Sequence, residues 1–152
     1  MSDIGYLLAD CARQMRRNFD ERMRDIGVTG PQARLLMTLG HVEGEQQGHY
    51  ANLLDVEPIT LCRMVDRMVE AGLIERRPDP NDRRARLLFR SPRAQAMAPA
   101  LQAEIDSLVE DFESGFTPGE LATLRDMLLR LSQKLVTMQD KTTDNRNKTA
   151  HG

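Results

Sequence analysis

The sequence predicts a mainly α-helical chain with a single small β-hairpin, and three observations carry that prediction. The stretch from Pro58 to just before Gly72 reads as one amphipathic helix, with Pro58 in its first turn and Gly72 just past its end. A strongly basic, alternating segment, Leu73 to Arg90, follows it directly. The flanking stretches, about 3–26 and 92–138, carry apolar residues at spacings of three and four, the period of long helices.

In chain order, Ile4, Leu8, Cys11, Met15, Phe19, Met23 and Ile26 form the apolar stripe of a helix over 3–26 that Gly27 ends. Thr29-Gly30-Pro31-Gln32 is a capping box for a second helix whose apolar face is Leu35, Leu36, Leu39 and Val42. Residues 44–48 read as a loop, Tyr50 to Leu54 as a short helix, and Asp55-Val56-Glu57 as a turn.

The next helix has two faces to explain. Leu61, Val65 and Met68 share the apolar one. Ile59, Thr60, Arg63 and Arg67 share the other, which is cationic yet holds an aliphatic residue. That mixture suits base edges: Arg pairs with guanine acceptors, and Thr or an apolar group meets the thymine methyl.

The hairpin comes next, with Leu73 to Arg77 as its first strand, Pro78-Asp79-Pro80-Asn81-Asp82 as its turn and Arg83 to Arg90 as its second strand. Ala85, Leu87 and Phe89 are expected on one face; Arg84, Arg86 and Arg90, with Leu88, on the other. Helix, glycine and basic hairpin in direct succession point to a winged helix-turn-helix lobe over about 30–91. Pro58, Ile59, Thr60, Arg63 and Arg67 are then expected in the major groove of duplex DNA. Arg83, Arg84 and Arg86 are expected to serve the wing, where groove potential attracts arginine, with Asp82 orienting them.

After the wing, Ser91-Pro92 starts a helix carried by Ala94, Met97, Leu101, Ile105, Leu108, Phe112 and Phe116, with Pro99 in its early part. Thr117-Pro118-Gly119-Glu120 is a second capping box. Leu121, Leu124, Leu128, Leu131, Leu135 and Met138 then form a heptad seam. A seam this regular calls for a partner helix. The expected organisation is one domain over 1–140 with long terminal helices at about 3–26 and 92–138, and a disordered tail over 141–152.

Charge agrees with this division. The 152-residue chain has a formal net charge of −2. Residues 63–93 nevertheless hold nine arginines against five carboxylates, whereas residues 94–140 hold three bases against eight acids. The basic footprint is local, as nucleic-acid binding requires.

Other classes find little support. His41, His49 and His151 are scattered and make no metal-ligand spacing with Cys11 or Cys62. No metal, cofactor or catalytic acid–base pair is expected. No phosphate-binding glycine loop appears. Aromatics at 4%, with no Trp, disfavour a stacking platform for single strands. The start, MSDIGYLLADCARQMRR, has acids where a signal peptide needs cations, so a cytoplasmic protein free of the membrane is expected.

Arg63-Met64-Val65-Asp66-Arg67-Met68-Val69, then Gly72-Leu73-Ile74-Glu75-Arg76, then Asp79-Pro80-Asn81-Asp82-Arg83-Arg84 resembles the MarR family. The resemblance covers about residues 5–138 and is strongest over helix and wing. It implies a homodimeric winged-helix transcription regulator on a pseudo-palindromic site, with dimerisation helices at about 3–26 and 92–138, a repressor more readily than an activator. The family pattern is broken at Tyr50-Ala51, where Leu-Ala is usual, at Asp55, where Gly is common, and at Cys62, where a hydroxyl residue is common. The resemblance also implies a small aromatic or phenolic acid as effector, with Arg13, Arg16 and Arg17 as candidates to pair its carboxylate. Some relatives sense peroxide through an early Cys. Cys11 lies on an apolar stripe, however, where cysteine behaves as a small hydrophobe, and Cys62 flanks a buried face. The alternatives are a helical dimer acting through protein contacts alone and a Cys-based redox regulator.

Overall fold

The computed structural model describes the backbone of residues 2–149 and the side chains of residues 2–140. Six helices and one hairpin follow in the order α1 (Ile4–Ile26), α2 (Gly30–His41), α3 (Gln47–Leu53), α4 (Pro58–Glu70), β1 (Ile74–Asp79), β2 (Asp82–Arg90), α5 (Pro92–Glu113) and α6 (Pro118–Thr149). The chain divides into two units, Met1–Leu108 and Val109–Gly152. No helix among the described residues is long and apolar enough to cross a membrane.

The first unit holds the core. Met23 of α1, Leu35, Leu36 and Leu39 of α2, Tyr50 of α3 and Leu61, Val65 and Met68 of α4 are all buried in it. Leu88 of β2 and Leu101 of α5 join them. The expected face of α4 is therefore the buried one. α1 contributes only its last turns, Phe19, Met23 and Ile26. Its earlier apolar residues, Ile4, Leu8, Cys11 and Met15, are exposed, which corrects the expectation of a buried Cys11. The stripe is continuous in sequence, but among the described residues its first three turns remain exposed.

The Thr29 box forms as read: Gln32 N–H donates to Thr29 Oγ1 at 3.3 Å, and Thr29 N–H to Gln32 Oε1 at 3.0 Å. A Cβ at Gly30 would lie 1.6 Å from Asp20 Oδ1, so a larger residue there would have to displace the Asp20 side chain. Val42 leaves the expected face; it is the C-cap residue of α2 and 40% exposed. α3 starts at Gln47, three residues before the expected Tyr50. Asp55 takes φ +50°, the left-handed turn that Asp tolerates at modest cost.

Two corrections concern the hairpin. β1 runs through Pro78 to Asp79, which pairs with Asp82, so the turn shrinks to Pro80-Asn81. Leu88 does not share solvent with the arginines; it is fully buried. Strand alternation places it with Arg84 and Arg86 as expected, but the base of the hairpin turns that face onto the core, and the arginines lie further out. A third segment supports the hairpin's free edge. Gly44 N–H donates to the Leu88 carbonyl at 3.0 Å, Leu88 N–H to that of Glu45 at 3.1 Å, and Gln46 bridges Leu87. An isolated two-stranded hairpin is marginal in water, and this added pairing stabilises it.

Ser91 ties the hairpin to α5. Its Oγ accepts the Ala94 N–H at 3.1 Å and donates to the Gly72 carbonyl at 2.6 Å. In the second unit the Thr117 box also forms, with Thr117 N–H on Glu120 Oε2 at 2.8 Å. Those hydrogen bonds, from the Thr117 backbone and then its hydroxyl, hold the Glu120 carboxyl below its ordinary range. Phe116 falls between α5 and α6 instead of extending α5. α6 runs through Thr149, so its helical backbone takes in most of the tail expected to be disordered over 141–152; the side chains there, and residues 150–152 with His151, lie outside the described residues.

Candidate nucleic-acid interface

α4 is positioned by its own sequence. Pro58 opens it, where a missing N–H costs nothing. Leu61, Val65 and Met68 seat it on the core, which leaves Ile59, Thr60, Arg63 and Arg67 in solvent. Gly72, at φ +71°, then turns the chain into the wing. Cys62 is half-buried beside the seated face, as expected.

The nine arginines of residues 63–93 divide into two groups. Five are engaged. Arg76 meets Asp66 at 2.5 Å and Gln47 at 3.4 Å. Arg77 pairs with Glu75 at 3.0 Å and lies 3.9 Å over the Phe89 ring. Arg90 holds Glu43 at 2.8 Å. Arg93 donates to the Ala71 carbonyl at 2.5 Å, and Arg86 to that of Ala85 at 3.1 Å. The other four, Arg63 and Arg67 on α4 with Arg83 and Arg84 at the wing tip, have exposed side chains and no side-chain partner among the described residues.

The wing tip is built by its carboxylates. Asp79 Oδ1 accepts the Asn81 N–H at 2.9 Å, and its Oδ2 accepts Gln46 Nε2 at 2.8 Å. The Asn81 contact first, and the Gln46 contact after it, hold the Asp79 carboxyl below its ordinary range. Asp82 Oδ1 accepts the backbone N–H of Arg84 at 2.9 Å. Asp82 thus shapes the turn that carries the wing arginines, through the Arg84 backbone.

Sequence reasoning missed the residues that hold the wing from behind. Gln46 and Gln47 fall in the stretch read as a loop and Glu43 was assigned no role, yet each secures a hairpin residue. Tyr50 anchors the same segment: its hydroxyl donates to the Val42 carbonyl at 2.8 Å and accepts the Glu45 N–H at 3.2 Å. Burial raises the Tyr50 hydroxyl's pKa above its ordinary value. The only local signal was a buried-type aromatic just after a polar run.

The α1 arginines are placed differently from one another. Arg13 pairs with Asp10, and Arg17 with Glu21 at 3.4 Å, both on the exposed helix surface. Arg16 has no side-chain partner among the described residues. A cavity of about 150 Å³ lies elsewhere, lined by Leu36, Met37, His41, Arg90, Leu101 and Gln102 among others. None of the three α1 arginines lines it. Among the described residues, no group of three or more His, Cys, Asp or Glu is placed to hold a metal ion.

A short helix, a turn, a seated second helix with a free cationic face and a propped basic hairpin define a winged helix-turn-helix module. Residues 26–85 match the model of the MarR family. Apo MarR from E. coli is similar over 86% of this chain and 97% of its own, with 24% identity and a TM-score of 0.78. A mutant MarR from E. coli complexed with operator DNA is 25% identical over 84% of this chain and 92% of its own, with a TM-score of 0.76. A probable transcriptional regulator from Pseudomonas aeruginosa is 27% identical over 84% and 96%, with a TM-score of 0.73. Over residues 26–85, and in its winged-helix fold, this chain is similar to the MarR family, the family its helix and wing resemble in sequence.

Proposed function

We propose that this chain is a cytoplasmic transcription regulator that binds a pseudo-palindromic duplex site as a homodimer and acts as a repressor. The observation that carries the reading is the division of the arginines. Five are engaged within the module; the four left over stand on the two elements that a winged helix presents to DNA. Unpaired guanidinium groups keep their donors for guanine edges and phosphates. In this reading α4 enters the major groove and the wing tip reaches the adjacent minor groove. A relative complexed with operator DNA supports it.

Exposed apolar surface supports the homodimer. Leu124, Leu128, Leu135 and Met138 of the seam are 41–54% exposed, and Ile4, Leu8 and Met15 of α1 are uncovered as well. Contiguous exposed apolar surface marks interaction sites. A second copy is the proposed cover for both. The effector is proposed to be a small aromatic or phenolic acid. Arg16 is the free cation of the α1 group, and Arg90 lines the cavity.

The deciding experiment is a selection from a random duplex pool followed by a salt titration. Affinity for the enriched duplex should fall steeply with salt, and replacing Arg63, Arg67, Arg83 and Arg84 together by Ala should abolish it. Salt-insensitive binding, or none, overturns the reading in favour of a dimer that acts through protein contacts. A thermal-shift screen of aromatic acids on wild type, Arg16→Ala and Arg90→Ala addresses the effector.

A further inference from the structure

Ile59 is 61% exposed, the highest value for a large apolar side chain anywhere in α2 to α4. A single exposed aliphatic residue is ordinary on a protein surface. The company it keeps is not ordinary. It lies in the first turn of α4, one turn before Arg63 and two before Arg67, both unpaired. The N-terminal residues of such a helix are the ones that meet base edges. An isoleucine offers no donor or acceptor there. The one major-groove group it complements is the C5-methyl of thymine.

We propose that Ile59 packs on a thymine methyl in each half-site and thereby selects thymine at that position. This rests on the DNA-binding reading above and adds a spacing to it. Four residues of helix advance about 6 Å, and one strand of DNA advances about 3.4 Å per nucleotide. With α4 lying along the groove, the thymine is therefore about two base pairs from the guanine that Arg63 reads.

The test deletes the methyl and nothing else. Thymines of the selected duplex are replaced one at a time by deoxyuridine, and binding is measured for wild type and for Ile59→Ala. Wild type should lose roughly fourfold affinity at one thymine per half-site, the worth of one buried methyl-sized group. That thymine should lie within three base pairs of the base at which Arg63→Ala relaxes preference. Ile59→Ala should bind thymine and deoxyuridine duplexes alike, with an unchanged melting temperature because the side chain is exposed. Wild-type indifference to every deoxyuridine, or an undiminished penalty in Ile59→Ala, overturns the inference and leaves DNA binding intact. If no duplex is enriched at all, the DNA-binding reading falls and the inference falls with it.

Discussion

Asp66 of α4 and Arg76 of β1 meet at 2.5 Å, and this ion pair joins α4 directly to the wing. Arg76 is mostly buried, with 27% of its side chain exposed, and also reaches Gln47 of α3. One guanidinium therefore touches all three elements of the module. Such a pair contributes little stability, about 0.5–1 kcal/mol, because Asp66 remains half in solvent. In the DNA-binding reading proposed above, its larger effect is to fix the angle between α4 and the wing before binding, which removes an ordering cost from association.

Asp66→Asn and Arg76→Gln should accordingly shift the melting temperature only slightly while weakening the selected duplex roughly three- to tenfold. Combined, they should weaken it little more than either alone. The check is a double-mutant cycle run in parallel on stability and on binding. Equal coupling in both measurements would show a stabilising pair with no positioning role.

Glu43 gives a pH prediction. Burial pushes its carboxyl up, but the hydrogen bonds and charge of Arg90 outweigh burial, and the net shift is downward from 4.5. A carboxylate depressed in the folded state contributes stability above its unfolded pKa and loses it as pH falls through the folded value. Wild type should therefore exceed Glu43→Gln by about 1 kcal/mol at pH 7. The gap should close as pH drops below 4.5. Melting curves of both proteins from pH 7 to 3 decide the matter; a gap that widens in acid contradicts the assigned sign.

Periodicity made much of this fold legible. Leu61, Val65 and Met68 announced the seated face of α4, because a 3.6-residue repeat survives whatever it packs against. The Thr29–Gln32 box and the left-handed Asp55 were legible because both are local chemistry. Leu88 was not, since alternation tells which residues share a face but not which part of that face meets the core. Nor does sequence separate Arg63 from Arg76. Both are arginines in a basic run, and only the fold brings Asp66 to one and leaves the other unpaired. Gln46 was hidden for the same reason, as its partner Asp79 lies thirty-three residues away.

The seam on α6 yields the assembly prediction. Leu128 and Leu135, 44% and 46% exposed in this chain, are one heptad apart. Leu128→Glu with Leu135→Lys places charges where a partner helix must pack, and desolvating them would be costly. Sedimentation should show a dimer for wild type and monomer or aggregate for the variant. Truncation after Gly119 should give aggregated or unfolded protein, because obligate dimers often lack a stable monomer. A well-folded monomer that still binds one half-site tightly would refute the homodimer. Two-fold symmetry also sets half-sites about one helical turn, ~10 bp, apart.

The final prediction separates helix from wing. Arg63 projects from the free face of α4, where its fork of donors suits a base edge; losing such a pair costs about 1–3 kcal/mol of discrimination. Arg84 sits at the wing tip, where phosphate and groove potential are the available contacts, and these carry little sequence information. Arg63→Ala should therefore weaken the selected duplex far more than a random one and relax preference at one or two base pairs per half-site. Arg84→Ala should weaken both duplexes by similar factors. Each lost phosphate contact removes about 0.9 from the slope of log affinity against log salt, so a dimer losing two should flatten by roughly 1.8. Salt titrations of both variants on both duplexes make the comparison. If Arg84→Ala leaves random binding and slope unchanged, the wing does not reach DNA. If Arg63→Ala lowers both affinities equally, α4 does not read bases through Arg63.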